Sequence, residues 1–392
     1  MTLRVVYIFP ISHHFRLPFH EKLRIALREK QIQYEVCYSN PFGENLEKKD
    51  TVQIPWGRKV PLLKFRNGGL LLQLAFREIV TCDLVIVQQE NRLLINYLYQ
   101  VLGLLHLKRV AFFGHGRNFQ AENPNSLSER WKRFWATKVS WWFAYTEGSK
   151  SVLSGLGFPE SRITVFNNAI DTDALRRFER AISPERLKEL RSELDLRGNN
   201  VGIYVGGVYR EKRIEFLVEA LDIVRSTIPD FEFVIVGGGA DLAVAQAAAA
   251  TRPWLKVTGP KFGAEKVELM LLARVFLMPG LVGLAVLDAY SVGLPVVTTN
   301  YPYHSPEIAY VIDGVTGAVS TPWTSADSYA AAVVTMLRND NLEEISSRCR
   351  EQAQKLSIDG MVAEFAKGVE RALGREGRDS RECRQDRGNR VV

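Results

Sequence analysis

The chain has 392 residues, 46% hydrophobic and 24% charged, an ordinary folded composition that exceeds what one core usually supports and so predicts two domains. Its four cysteines (Cys37, Cys82, Cys349, Cys383) and six histidines show no Cys-x-x-Cys pair and no zinc-ligand spacing, which excludes a zinc module and fits free thiols in a reducing compartment. The net charge of +7 is uneven: residues 1–170 hold 23 Lys and Arg against 13 Asp and Glu, the remainder 28 against 31.

In chain order, residues 1–9 open with an apolar strand over 4–9, without a basic leader or cleavage site, so no signal peptide is expected. Further strands are predicted over 83–87, 110–113 and 163–166, with helices near 19–29, 92–106 and 128–137. The apolar run 93–107 is interrupted by Asn96, Gln100 and His106 and falls short of the ~20 residues of a spanning helix, which predicts a soluble or peripheral protein. The charged stretch 171–198 reads as a linker. Beyond it come strand 201–205, then Ile214, Leu217, Val218, Leu221 and Val224 at helical spacing, then strand 233–236 ending at Gly237-Gly238-Gly239. An alanine-rich helix, strand 255–258, helix 264–272, strand 275–278, a helix from 284 and strand 295–298 follow. A last short helix starts at Ser305-Pro306-Glu307, serine as N-cap and proline at the first helical position. Short apolar strands alternating with helices predict an α/β protein of two doubly wound, Rossmann-like domains with parallel sheets, facing each other across a ligand cleft. After Leu373, arginines recur every third residue with almost no apolar residue, and the tail 374–392 is expected to be disordered.

Chemistry concentrates at strand ends. In Pro279-Gly280-Leu281-Val282-Gly283-Leu284, a strand runs through a glycine turn into a helix. Free amides there form a diphosphate site, and Asp288, one turn in, reaches ribose hydroxyls. A buried glycine turn with a capping acid is the plain alternative. Gly206-Gly207 followed by Arg210 and Lys212 leaves the first strand of the same domain, so both cations are expected at the same phosphates. In the first half, Gly114-His115-Gly116-Arg117-Asn118 exposes an imidazole at a strand end. His13, His14 and Arg16 follow the first strand, and Arg16 suits an acceptor phosphate. Asp171-Thr172-Asp173 looks like a metal-binding DxD, but its place at the domain junction favours a turn or helix cap, and no metal is expected. Trp131, Phe134, Trp135, Trp141 and Trp142 with Lys132, Arg133 and Lys138 suit either a bilayer headgroup boundary or a core-facing helix and buried strand. For the basic half, nucleic acid, phospholipid headgroups, a phosphate-bearing acceptor and a solubilising surface all fit.

Together these segments resemble the retaining GT-B glycosyltransferases of family 4, the group 1 glycosyltransferases. The likeness rests on Gly206-Gly207 with Lys212-Arg213-Ile214, on Val234 to Gly239, and on Gly283-Leu284 with Leu287-Asp288-Ala289. Gly293-Leu294-Pro295-Val296-Val297, Pro306-Glu307-Ile308, Asp313 to Gly317 and Asn168-Ala169-Ile170-Asp171 complete it. Three departures stand out: Gly280 holds the place of the first of two spaced glutamates, Asp288 that of the second, and Gly207 that of an arginine. The resemblance implies an acceptor-side domain over 1–170 and a nucleotide-sugar domain with a closing helix over 199–373. It implies donor contacts from Gly206, Gly207, Gly280, Leu281, Val282, Gly283, Leu284 and Asp288, and catalytic roles for His115, Arg210 and Lys212. The acceptor side falls to His13, His14 and Arg16. The expected partners are a nucleotide-diphosphate sugar and a lipid-linked or saccharide acceptor, with no separate cofactor and no nucleic acid; the expected location is the cytoplasm, either free or peripheral at the inner face of the plasma membrane. A non-catalytic nucleotide-sugar binder and an epimerase or hydrolase on the same fold are the alternatives; Gly237-Gly238-Gly239 is too weak a fingerprint for a nicotinamide enzyme.

Overall fold

The computed structural model describes residues 2–42, 51–116 and 126–375. Apart from Gly374 and Arg375, the expectation for the tail lies outside the described residues, as do Cys383, Arg117 and Asn118. The chain forms two compact units, Met1–Asn167 with Asp359–Val392, and Asn168–Ile358.

The first unit contains β1 (Leu3–Ile11), β2 (Ile32–Ser39), β3 (Arg58–Lys59), the hairpin of β4 (Leu62–Phe65) and β5 (Leu70–Gln73), β6 (Leu84–Gln88), β7 (Arg109–Gly114), β8 (Trp141–Ala144) and β9 (Ile163–Val165). Seven of these make one parallel sheet in the order β3-β2-β1-β6-β7-β8-β9. Leu84, Val85, Ile86 and Val87 are all fully buried, as an apolar run covered by helices on both faces must be. The tryptophan cluster splits. Trp141 and Trp142 are core residues of β8, their indole N–H groups donating to Thr164 Oγ1 (2.9 Å) and Ala136 O (2.7 Å). Trp131 and Phe134, on helix Leu127–Ala136, stand exposed.

The second unit is a parallel six-stranded sheet of β10 (Asn200–Val205), β11 (Phe231–Val236), β12 (Leu255–Gly259), β13 (Val275–Leu277), β14 (Val296–Thr299) and β15 (Gly317–Ser320), ordered β12-β11-β10-β13-β14-β15. Gly237 serves loop packing here: a Cβ on it would lie 1.8 Å from Gly206 O, so the loops after β10 and β11 touch backbone to backbone.

Two expectations are corrected. The stretch 171–198 is no linker: it folds as helices Thr172–Ala181 and Pro184–Glu193 within the second unit, burying Leu175 and Leu190 while its charges face solvent. Asp171 caps the first helix by accepting from Ala174 N at 2.9 Å, which explains the DxD pattern. The closing helix, Ile358–Ala372, belongs from Asp359 onward to the first unit rather than to the nucleotide-sugar domain. Phe365 stacks on Phe143 at 4.0 Å and meets Phe19 and Phe166 edge-on, and Gly368 leaves room for Thr164. The element expected from Ser305 is a 3-10 turn, Pro306–Tyr310.

Candidate functional site

Where the strand order of a parallel sheet reverses, the loops leaving the two neighbouring strands diverge and open a crevice at their carboxyl ends. In the second unit this point lies between β10 and β13, the strands followed by Gly206-Gly207 and by Pro279-Gly280. The sequence thus delivers both glycine turns to one rim.

The two turns are joined. Leu281 N donates to Glu211 O at 2.9 Å, and the Lys212 ammonium donates back to Leu281 O. Gly280 sits so close to this backbone that a Cβ would fall 2.2 Å from Glu211 O. Thr298 and Thr299 of β14 donate to Met278 O (2.8 Å) and Pro279 O (2.7 Å), fixing the end of the neighbouring strand. Lys212 is buried, and desolvation pushes its ammonium down to about 8, although Glu211 and Glu307 favour the charge. Arg213, in the left-handed region at φ 58°, lies against the Phe216 ring at 3.8 Å and donates to Trp323 O at 2.8 Å, closing the turn that carries Lys212. Arg210 heads that turn but is exposed, and its side chain makes no hydrogen bond or ion pair among the described residues.

Beyond Gly280 the chain opens. A Cβ on Gly283 would meet only Ser305 Oγ, at 4.0 Å, and the amides of Gly283 and Leu284 donate to no acceptor among the described residues. These amides lie immediately before helix Ala285–Ser291, so a small anion has donors within reach.

Two supporting side chains, His304 and Lys266, escaped sequence reasoning, as did the link between the Asn168 and Glu307 motifs. His304 takes the Val282 N–H on Nδ1 (3.0 Å), which places its own proton on Nε2, facing Thr299 O at 2.8 Å. Burial pushes its imidazole down to about 4, so it is neutral at physiological pH. Replacing His304 by alanine leaves a buried N–H and a buried C=O unpaired, and is expected to lower stability by about 2–4 kcal/mol in urea denaturation. Lys266 donates to Asp288 Oδ1 at 2.7 Å, both groups being largely buried, so the carboxylate proposed for ribose is already oriented. Asn168 donates through Nδ2 to Glu307, and Tyr310 OH donates to Asn168 O (3.0 Å), which joins the Asn168 and Glu307 motifs.

In the first unit the strand order reverses between β1 and β6. A cavity of about 210 Å³ lies there, walled by Tyr7, Phe9, Phe19, Phe113 and Tyr145, with His13 and Arg16 also lining it. The Arg16 guanidinium lies 5.2–5.7 Å from the ring centroids of Phe15, Phe113 and Tyr145, and its one hydrogen-bond contact among the described residues is to Met361 Sδ at 4.0 Å. It is a cation held by aromatic faces with no carboxylate partner among the described residues. His13 stacks on Phe15 beside it, while His14 is exposed. His115 packs on Tyr145 with 4.1 Å between centroids; burial, then Lys132 and Arg16, push its imidazole down to about 3. A ring so reluctant to protonate is a neutral hydrogen-bonding group, not a base tuned to neutral pH. Among the described residues no group of three or more His, Cys, Asp or Glu side chains is placed to hold a metal ion, and no helix is long and apolar enough to cross a membrane.

Residues 199–339 match the family described as Glycosyl transferases group 1. No curated protein sequence matches the chain. Among solved structures, HepE from Anabaena in complex with UDP and glucose is 15% identical, with a TM-score of 0.68 over 94% of this chain and 99% of that one. A glycosyltransferase from Rickettsia africae ESF-5 is 14% identical, with a TM-score of 0.69 over 95% and 99%. A protein from Listeria monocytogenes assigned as a UDP-N-acetylglucosamine 2-epimerase is 15% identical, with a TM-score of 0.62 over 96% and 98%. At such identities the likeness shows the fold, which is GT-B, and fold alone does not set the activity.

Proposed function

We propose that the chain is a group 1 glycosyltransferase that moves a sugar from a nucleotide-diphosphate donor, most simply a UDP-sugar, to an acceptor hydroxyl, with retention at the anomeric carbon and without a metal ion. The observation that carries this reading is the buried Lys212 ammonium, tied to Leu281 O beside the open amides of Gly283 and Leu284. The diphosphate is read onto those amides, with Lys212 and the exposed Arg210 taking up charge on the leaving group as a metal does elsewhere. Asp288, steadied by Lys266, accepts from the ribose hydroxyls, while Gly206, Gly207 and Gly280 keep backbone close. Transfer breaks the C1–O bond to the diphosphate and forms a C1–O bond to the acceptor. The acceptor's proton passes to the departing phosphate, consistent with a His115 that stays neutral.

The acceptor is assigned to the first unit, where Arg16 offers a cation without a carboxylate partner among the described residues and aromatic faces suit a sugar ring or a prenyl chain. Its basic balance supports a lipid-linked or saccharide acceptor carrying phosphate, in surface polysaccharide assembly at the cytoplasmic face of the plasma membrane. The likeness to the Listeria protein keeps a second reading, a nucleotide-sugar epimerase or hydrolase.

The test is a thermal-shift panel of UDP-, GDP-, ADP- and dTDP-sugars with chelator present. One nucleotide class is expected to stabilise by about 2.7 kcal/mol at a hundredfold excess over Kd, and Asp288→Ala to weaken it at least tenfold. Stabilisation that needs manganese overturns metal independence. Product formed without any acceptor selects the second reading.

A further inference from the structure

Sixteen large apolar side chains are exposed on the described residues, and eight of them fall in two short segments of the first unit, a clustering that single exposed leucines do not produce. The first is helix Leu94–Leu104 with the turn that follows. It buries Ile95, Asn96, Tyr99 and Gln100 and turns Leu98, Val101 and Leu104 outward, with Leu105 and Leu107 beyond them. No charged residue occurs from 93 to 107, so the outer face of this surface helix is apolar where a solvated one is polar. The second segment is helix Leu127–Ala136, exposing Leu127, Trp131 and Phe134.

The two are locked side by side. Trp131 Nε1 donates to Tyr97 OH at 3.0 Å, and Gln100 Nε2 donates to Trp135 O at 2.7 Å. Cations accompany the apolar face: across 94–109 and 127–138 there are six Lys and Arg against one acid, Glu129. Lys138 lies over the Phe134 ring at 5.2 Å, its stem along the apolar surface and its charge at the edge.

We propose that this face is a docking surface for an anionic lipid bilayer. The leucines, Trp131 and Phe134 enter the boundary between headgroups and acyl chains, and Arg130, Arg133, Arg109 and Lys138 meet lipid phosphates, while the Lys108 ammonium is taken up by Cys82 O. A second copy of the chain is a poorer occupant, because a two-fold contact would set one cationic rim against another. The inference gives the peripheral location proposed above a named surface, and its test does not depend on turnover.

Full-length protein is mixed with phosphatidylcholine vesicles and with vesicles containing phosphatidylglycerol, and binding is read by co-sedimentation. Binding is expected on the anionic vesicles, at least about tenfold weaker on neutral ones, and reduced by salt. The combined variant Leu105→Ser, Leu107→Ser and Phe134→Ser, all at exposed positions, is expected to lose at least about tenfold on anionic vesicles while donor-induced thermal shift stays unchanged. Equal binding to both lipids, wild-type binding by the variant, or no vesicle binding with a dimer that the variant abolishes each overturns the proposal. Loss of donor shift with vesicle binding intact counts against the transferase reading instead.

Discussion

Replacing Lys212 by methionine is expected to lower kcat/KM for sugar transfer by about 10²–10³-fold, the usual consequence of removing one preorganised charge from a developing oxyanion. Methionine keeps the length and apolar stem of lysine, so the buried site stays filled. The sharper result concerns pH. Desolvation holds the Lys212 ammonium at about 8, against the pull of Glu211 and Glu307. Because this is a lowered value for a cation, the charge is present below pH 8 and is lost as pH rises through it. For the wild type, kcat/KM reports the free enzyme, and it is expected to be flat to about pH 8 and then to fall about tenfold per unit. A bound diphosphate favours the ammonium, so the same limb in kcat lies at higher pH. In Lys212→Met the limb disappears and the residual rate is flat. A variant that keeps the wild-type alkaline limb shows that another group titrates there, and the role given to Lys212 falls.

Much of this was readable in advance, for a reason that differs by element. β6, β10 and β11 carry continuous runs without a polar side chain over 84–87, 201–205 (apart from the Tyr204 hydroxyl) and 233–236 because helices cover both their faces, and such runs survive in sequence. β2 was missed because Ile32–Ser39 mixes Gln33, Glu35 and Ser39 into its apolar pattern, and β15 because Gly317–Ser320 is short and weakly apolar. The stretch 171–198 deceived for the opposite reason. Two helices with one or two buried side chains each look, by composition, like solvated chain. The glycine turns and Lys212 were legible because strand, turn and helix follow one another locally, and strand order does the rest. His304 and Lys266 were not. Their partners, Val282 and Asp288, lie 22 residues away along the chain, and no periodicity links them. The placement of Ile358–Ala372 was equally hidden, since its apolar face does not say which sheet receives it.

Gly280 bears directly on how the site works, and restoring the glutamate that the group 1 pattern has there is expected to destroy the site rather than improve it. A Cβ at position 280 would lie 2.2 Å from Glu211 O and 2.8 Å from Lys212 Cα, both backbone atoms of the turn that presents Lys212. Neither has a flexible end to swing away, so the turn itself must move. Alanine alone is expected to cost about 1–3 kcal/mol, and Gly280→Glu more, since its carboxyl must also find room beside the turn. Separation of the loops breaks the Leu281 N–H to Glu211 O bond and withdraws the ammonium from Leu281 O. Both variants should therefore show a fall in denaturant midpoint together with loss of nucleotide-induced thermal shift. If Gly280→Glu folds normally and binds the donor more tightly, the loops do not pack as described and the missing glutamate is a lost contact. If it unfolds, Gly280→Ala decides the matter: the packing account requires even one methyl group to weaken donor binding, because that group displaces the backbone carrying Lys212.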